Sequence, residues 1–554
     1  MKKVLFILLG CLLSFNVMAQ VKAISGLVTD VTGEPVIGAS VVEVGTTNGV
    51  ITDLNGKFSL KVAPNSQFLV SYIGYKQQTI KVGSESTYNI VLKEDAEVLD
   101  EVVVVGYGSQ KKVNVTGAVG MVGAEALEAR PVANASQALQ GVVPGLNLTV
   151  GNNGGALDGT LNMNIRGAGT IGDGSGSSPL VLIDGIEGDL NTVNPNDIES
   201  VSVLKDAASA SIYGARASFG VILVTTKSGK SGKTNVSYSG SARFSDAIGV
   251  PDIMDSYTFA QYFNRASANK GGGDIFAPAV MERIKAYQEG TLKATTVDNG
   301  AGIWQKWANA NGDTDWFEEF YDHWAPSQEH NLSINGGTDK TQYLISGSFL
   351  DQKGLMRHGK DKFQRYTLNG KITTAVTDWF KVTYSTKWTR EDFERPSYLT
   401  GNFFHNLARK WPVHPAYDPN GFPMDEGEVE QMENGGKQNS QKDFYTNQLQ
   451  LVFEPIKNWK INLDGSVRTT TQYQHWEVLP VYAYNVAGDP YYTVWDMGYG
   501  SYAAGSSRVN EYSWKENYYT TNIYSDSSHH SLPVGILLAN HSWRALLKKL
   551  IWEV

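Results

Sequence analysis

The sequence predicts a mainly β protein: a small β-sandwich, a glycine-rich α/β unit, then a run of strands of transmembrane length. Three observations carry this. After the first twenty residues no apolar run is long enough for a transmembrane helix. The chain of 554 residues holds 27 Tyr, 13 Trp, 20 Phe and 57 Gly, which suits β structure, including its membrane-spanning kind. From residue 229 onward, apolar and polar residues alternate in segments about ten residues long. The length implies several domains. A net charge of −9 argues against a nucleic-acid partner.

The first nineteen residues read as a secretory signal. Lys2 and Lys3 form its charged start and Val4 to Leu13 its apolar stretch. Val17-Met18-Ala19 is a small-residue cleavage site, so the mature chain would begin at Gln20. Leu8-Leu9-Gly10-Cys11 could instead be a lipid-attachment box, but apolar residues continue to Phe15. Cys11 is the only cysteine; without it, disulfides, thiolate metal sites and cysteine nucleophiles are excluded.

Residues 20–97 form the sandwich. Ile24 to Asp30 reads as a strand, Thr32-Gly33-Glu34-Pro35 as a turn, and Asp53-Leu54-Asn55-Gly56 as a hairpin-type turn feeding Lys57-Phe58. Residues 98–112 hold Val102-Val103-Val104-Val105 between Glu101 and Gly106-Tyr107. Such a run suits a buried strand, or a segment that adds itself to another protein's sheet edge. Residues 113–228 form the glycine-rich unit. It has strands at Leu161 to Ile165, Leu180 to Ile183, Asp197 to Leu204 and Gly220 to Thr226, and a short helix expected from Ala207 to Tyr213 that stops at Gly214.

The alternating segments fill residues 229–525. Val236, Tyr238, Ala242 and Phe244 share one face. Phe380, Val382, Tyr384 and Trp388 oppose Lys381, Thr383, Ser385 and Lys387. Trp459, Ile461, Leu463 and Val467 oppose Lys460, Asn462, Asp464 and Arg468. About eight such segments are legible. Residues 245–328 and 391–446 suit long loops at one end. Gly336-Gly337 and Thr377-Asp378 suit tight turns at the other.

Several motifs point nowhere. Gly167-Ala168-Gly169-Thr170-Ile171-Gly172 matches a dinucleotide fingerprint, but Asp173 to Pro179 cannot open a helix. The histidines lack metal-ligand spacing, and no catalytic constellation stands out. The expectation is a protein that is not an enzyme, with no cofactor and no metal. The alternative is a secreted or surface glycan-binding or hydrolytic protein with an accessory sandwich.

Longer phrases are more specific. Leu99 to Gly108, with Glu101, Val102–Val105, Gly106 and Tyr107, resembles the TonB box of SusC/RagA-like TonB-linked outer-membrane proteins. Ile165-Arg166-Gly167, Leu182-Ile183-Asp184-Gly185, Asn194 to Val201, and Leu204-Lys205-Asp206 running to Tyr213-Gly214-Ala215-Arg216 resemble that family's plug domain. Thr314-Asp315-Trp316-Phe317 and His330 to Gly337 resemble its barrel, and Ile24 to Gly74 a carboxypeptidase-regulatory-like domain. The resemblance implies a plug inside the N-terminal part of a 22-stranded transmembrane β-barrel. It further implies a periplasmic sandwich and TonB box, and uptake of a glycan or oligopeptide across the outer membrane. The implied partners are TonB with its inner-membrane energising complex, a SusD-like lipoprotein, the ligand and outer-membrane lipid. The resemblance names no substrate-binding residues.

Residues 526–554 depart from this pattern. Trp543, Leu546, Leu547, Leu550 and Ile551 fall at helical spacing, and no strand period is visible. A shifted reading frame or truncated gene is expected there, leaving a fragment that itself imports nothing.

Overall fold

The computed structural model describes most of the chain from Lys22 to Glu553. Residues 1–21, 94–101, 106–107, 112–118, 151–155, 168–177, 207–209, 497–500 and 528–533, with some single or paired positions, lie outside the described residues. So do the expected leader and most of the glycine fingerprint. For 102–105, 108–111 and 534–553 only the course of the backbone is described.

The sandwich contains β1 (Lys22–Thr29), β2 (Ser40–Glu43), β3 (Gly49–Ile51), β4 (Lys57–Val62), β5 (Gln67–Ser71), β6 (Gln78–Lys81) and β7 (Thr87–Val91). Two sheets result, β4-β1-β7 and β3-β2-β5-β6. Strict alternation along β4 buries Phe58, Leu60 and Val62 against Ile24, Val28, Phe68 and Val70. The Asp53 carboxylate accepts the N–H groups of Asn55 and Lys57 at 2.9 and 2.8 Å, closing the expected turn. Gly56 there has φ +73, and a Cβ would lie 2.5 Å from the Val28 carbonyl oxygen, so only glycine fits. Val102–Val105 (β8) and Gly108–Lys111 (β9) form a two-stranded ribbon.

The α/β unit has β10 (Val119–Gly123), α1 (Ala124–Glu128), α2 (Ala135–Leu139), β11 (Leu146–Val150), β12 (Leu161–Ile165), β13 (Leu180–Ile183), β14 (Ile186–Glu187), β15 (Ile198–Leu204) and β16 (Val221–Thr226). Its main sheet runs β10-β15-β16-β13-β14, and β11 pairs with β12. Val201, Val203, Ile222 and Val224 bury one face of that sheet against Leu127, Leu139 and Leu190. Of the helix expected over 207–213, residues 207–209 lie outside the described residues, Ala210 is helical, and Ser211–Ala217 continues as a 3-10 segment broken at Gly214 with φ +69.

The wall is one antiparallel sheet. It contains β17 (Gly232–Ser245), β18 (Ala325–Gly337), β19 (Thr341–Lys353), β20 (Lys362–Thr377), β21 (Phe380–Pro396), β22 (Lys437–Ile456), β23 (Trp459–Val478), β24 (Arg508–Ser527) and β25 (Val534–Glu553), each paired with the next. The expected alternation holds. Tyr238, Leu332, Gly347, Leu368, Trp388, Tyr445 and Thr469 form one continuous cross-strand row. Tyr238, Leu332, Leu368 and Tyr445 of this row are exposed. The neighbouring row on the opposite face is Ser237, Ser333, Ser346, Asn369, Lys387, Thr446, Arg468 and Tyr518.

Two expectations are corrected. The strands are longer than about ten residues, reaching 20 in β22 and β23. Their far ends carry polar pairs such as Arg390 with Asp443 at 2.8 and 2.9 Å. Residues 534–553, where no strand period is visible in the sequence, form a ninth strand paired with β24. The unpaired backbone groups along β24 favour strand addition whatever the apolar spacing.

The connections 246–324 and 397–436 are not loose. They fold into α3 (Ser256–Asn269), α4 (Pro278–Gln288), α5 (Trp316–Phe320), α6 (Gly401–Leu407) and α7 (Val429–Asn434). Trp316, Phe320, Phe403, Leu407, Val429 and Met432 share a core with Met356 and Val478.

Candidate functional site

The residues singled out in the α/β unit act as clips, some within the unit and some onto the wall. Arg166 pairs with Asp206 at 2.6 Å, and its N–H donates to the Gly145 carbonyl at 2.8 Å, joining the β11–β12 ribbon to the end of β15. Lys205 donates to the Pro144 carbonyl. Arg216 pairs with Glu187 at 2.5 Å and reaches the Tyr518 hydroxyl of β24 at 3.4 Å. Tyr213 and Gly214 lie in the broken 3-10 segment, and Gly167 has φ +101.

Asp184 and Gly185 make the tip of the β13–β14 hairpin, with φ +50 and +85. Two left-handed residues in a two-residue hairpin need glycine or a short polar side chain, which this pair supplies. The Asp184 carboxylate accepts the N–H and hydroxyl of Thr226 at 2.8 and 2.6 Å. From the wall, Lys387 approaches to 2.5 Å and Lys371 to 3.9 Å. Gln448 donates to the Asp184 carbonyl at 3.0 Å. Burial alone would raise the pKa of this carboxyl; Lys387 and Lys371 reverse that and hold it well below the ordinary carboxylate range.

Sequence reasoning missed the wall's half of the interface. Asn369 donates to Asp197 at 2.7 Å, and Asn194 to Asn331 at 2.5 Å. Burial pushes the Asp197 carboxyl up, against the hydrogen bonds of Ser346 and Asn369 and the charges of Lys227 and Lys387. Arg468 donates to the Glu187 carbonyl. Arg365, at 2% exposure, donates to the carbonyls of Asn191 at 2.8 Å and of Ala133. The signal was present as charged residues on the polar face of wall strands, Lys371, Lys387 and Arg468 among them. A cavity of about 360 Å³ remains between unit and wall, bordered by Lys227, Asp189, Thr367 and Trp514.

Upstream, Val102–Val105 lies in the β8–β9 ribbon, while Glu101, Gly106 and Tyr107 lie outside the described residues. Among the described residues no group of three or more His, Cys, Asp or Glu side chains is arranged to hold a metal ion.

Known proteins match this arrangement. The family description "TonB-dependent Receptor Plug Domain" fits residues 111–221, and "CarboxypepD_reg-like domain" fits residues 24–104. The TonB-dependent receptor SusC of Bacteroides thetaiotaomicron is 35% identical over 377 residues, 66% of this chain and 33% of that protein. This chain belongs to the SusC/RagA-like TonB-dependent receptors. The TonB-dependent receptor P39 of Formosa agariphila is 32% identical over 414 residues, covering 74% of this chain and 36% of that protein. In fold, the RagAB peptide importer in its open-open state gives a TM-score of 0.61 at 23% identity, over 81% of this chain and 50% of that one. The chain thus spans about a third of the length of the curated relatives it matches. The α/β unit is the plug of this receptor family, and its docking partner is part of a β-barrel wall.

Proposed function

We propose that this chain supplies the plug and part of the barrel wall of an outer-membrane importer powered through TonB. The observation that carries this is the Asp184 tip of the plug, held between Lys387 and Lys371 on the polar face of the wall. A plug held by ion pairs and hydrogen bonds, with a small apolar patch where Leu350, Phe363 and Phe393 of the wall pack on Ala133 and Leu157, can be released by a pull and re-formed. The pull enters at Val102–Val105, which TonB would engage by strand addition. The cargo is a glycan or oligopeptide taken from a SusD-like surface lipoprotein. The leader is cleaved after Ala19, and the sandwich and TonB box face the periplasm. Import needs the closed barrel, so this chain by itself would bind partners without transporting, and it acts as no enzyme.

Because Cys11 is the only cysteine, a single one can be placed at Val103 in the mature chain. With Val103→Cys, disulfide capture of a TonB periplasmic domain carrying its own cysteine series is expected near the box. Val104→Pro in the same chain should abolish capture, because proline removes a ladder donor. Absence of capture at every TonB position, or capture untouched by the proline, would defeat the assignment.

A further inference from the structure

Two consecutive carboxylates on α5 are each held by an imidazole, and each imidazole also reaches a second carboxylate on another segment. His358, between β19 and β20, places Nε2 2.9 Å from Glu319 and Nδ1 2.7 Å from Glu433 on α7. Its side chain is 8% exposed. His323 places Nδ1 3.0 Å from Asp246, just past β17, and Nε2 3.2 Å from Glu318. A neutral imidazole has one N–H and one bare nitrogen. A bare nitrogen facing a carboxylate at this range sets two lone pairs against each other. Only the imidazolium satisfies both partners at once.

We propose that the loop layer over the wall is closed by a proton-dependent clasp centred on α5, in which His358 and His323 tie it to α7 and to the end of β17. The apolar side of α5, through Trp316 and Phe320, sits in the core of that layer, so loosening its polar side loosens the layer. The other titratable groups nearby do not replace the clasp. Arg357 bonds to Asp322 at 3.3 Å and helps keep Glu319 ionised. Tyr417 also meets Glu319, and Glu430 lies near Glu433. Asp361 and Lys360 belong to the loop of His358 itself, and Tyr321 follows α5.

The sign follows from the surroundings. Burial opposes charge on His358, but Glu319 and Glu433 overcome it and raise its affinity for the proton. Glu318 and then Asp246 raise that of His323. A raised folded value means the stabilisation is complete below the free-histidine value of about 6.5 and is lost as pH climbs through the raised value. The layer is therefore closed in mild acid and loosened in mild alkali. This inference does not depend on import.

The test uses the full chain refolded from aggregate into detergent micelles, with amide hydrogen exchange followed at pH 6 and pH 8 and corrected for intrinsic rates. Protection over 316–323 and 429–434 should be on the order of tenfold greater at pH 6, the scale of one charge-assisted hydrogen bond. His358→Gln should flatten the difference. Glu433→Gln keeps the imidazole and offers an amide that suits its neutral form, so it should flatten the difference while retaining protection at pH 8. Equal protection at both pH values in the unaltered chain overturns the proposal. So does an unchanged pH difference in Glu433→Gln, whether or not His358→Gln folds.

Discussion

Asp184 shows how much one side chain can carry in this plug. Removing its charge leaves Lys387 and Lys371 facing each other without the carboxylate between them. Breaking a buried pair from one side costs more than the pair itself contributes, because the remaining charge stays desolvated. Asp184→Asn should therefore weaken plug docking by on the order of 3 kcal/mol. The readout is the urea concentration at which trypsin begins to cut within 184–227, with exposed Glu199→Gln as the neutral control. A midpoint matching the control would show that docking rests elsewhere, on Arg365 or Arg468. Because the folded carboxyl is held below its ordinary range, its contribution is present above about pH 4 and disappears only as the pH falls through the lower folded value. Family-like phrases made Arg166, Asp184, Asp206 and Arg216 legible in the sequence. Their wall partners were not, since Lys387 lies 203 residues from Asp184 and the register of intervening strands decides the match.

At the scale of elements, alternation located the wall strands but not their ends. Between Phe380 and Trp388 one face is apolar and the other polar, so the period is plain. Beyond it, Arg390, Asp392 and Glu394 continue the formerly apolar face as charges, and the contrast vanishes. Cross-strand pairs such as Lys437 with Glu394 at 2.6 Å accompany the strand there. The loop layer was illegible for another reason: α5, α6 and α7 span only five, seven and six residues, and their apolar residues meet partners far along the chain. Gly359 exposes that dependence. It has φ +73, and a Cβ would lie 2.0 Å from the Met432 carbonyl oxygen at the end of α7. Gly359→Ala therefore adds a left-handed alanine and a backbone collision, at a cost of about 2 kcal/mol or more. Exchange protection over 429–434 should fall while that of β20 and β21 stays unchanged. Equal protection would mean the loop shifts aside freely.

The whole wall raises a question of closure. Among the described residues, β17 and β25 are the two edges of the nine-stranded sheet and do not pair with each other. On β17, Val236, Tyr238 and Phe244 are 62%, 66% and 65% exposed. Small closed barrels fill their interior with side chains, whereas the polar face of this wall is occupied by a plug with its own core. The plug thus holds the sheet too wide to close at nine strands. In a bilayer the unpaired backbone of both edges would have no partner. Expressed alone from Met1, this chain should accumulate as aggregate or be degraded, and should give no heat-modifiable monomer in the outer-membrane fraction. Fusing the remaining strands of a SusC-like relative after Ser527 should restore such a monomer, because each edge then meets a strand. A heat-modifiable monomer from the chain alone would show that β25 and β17 find each other in lipid and that the plug moves to let them.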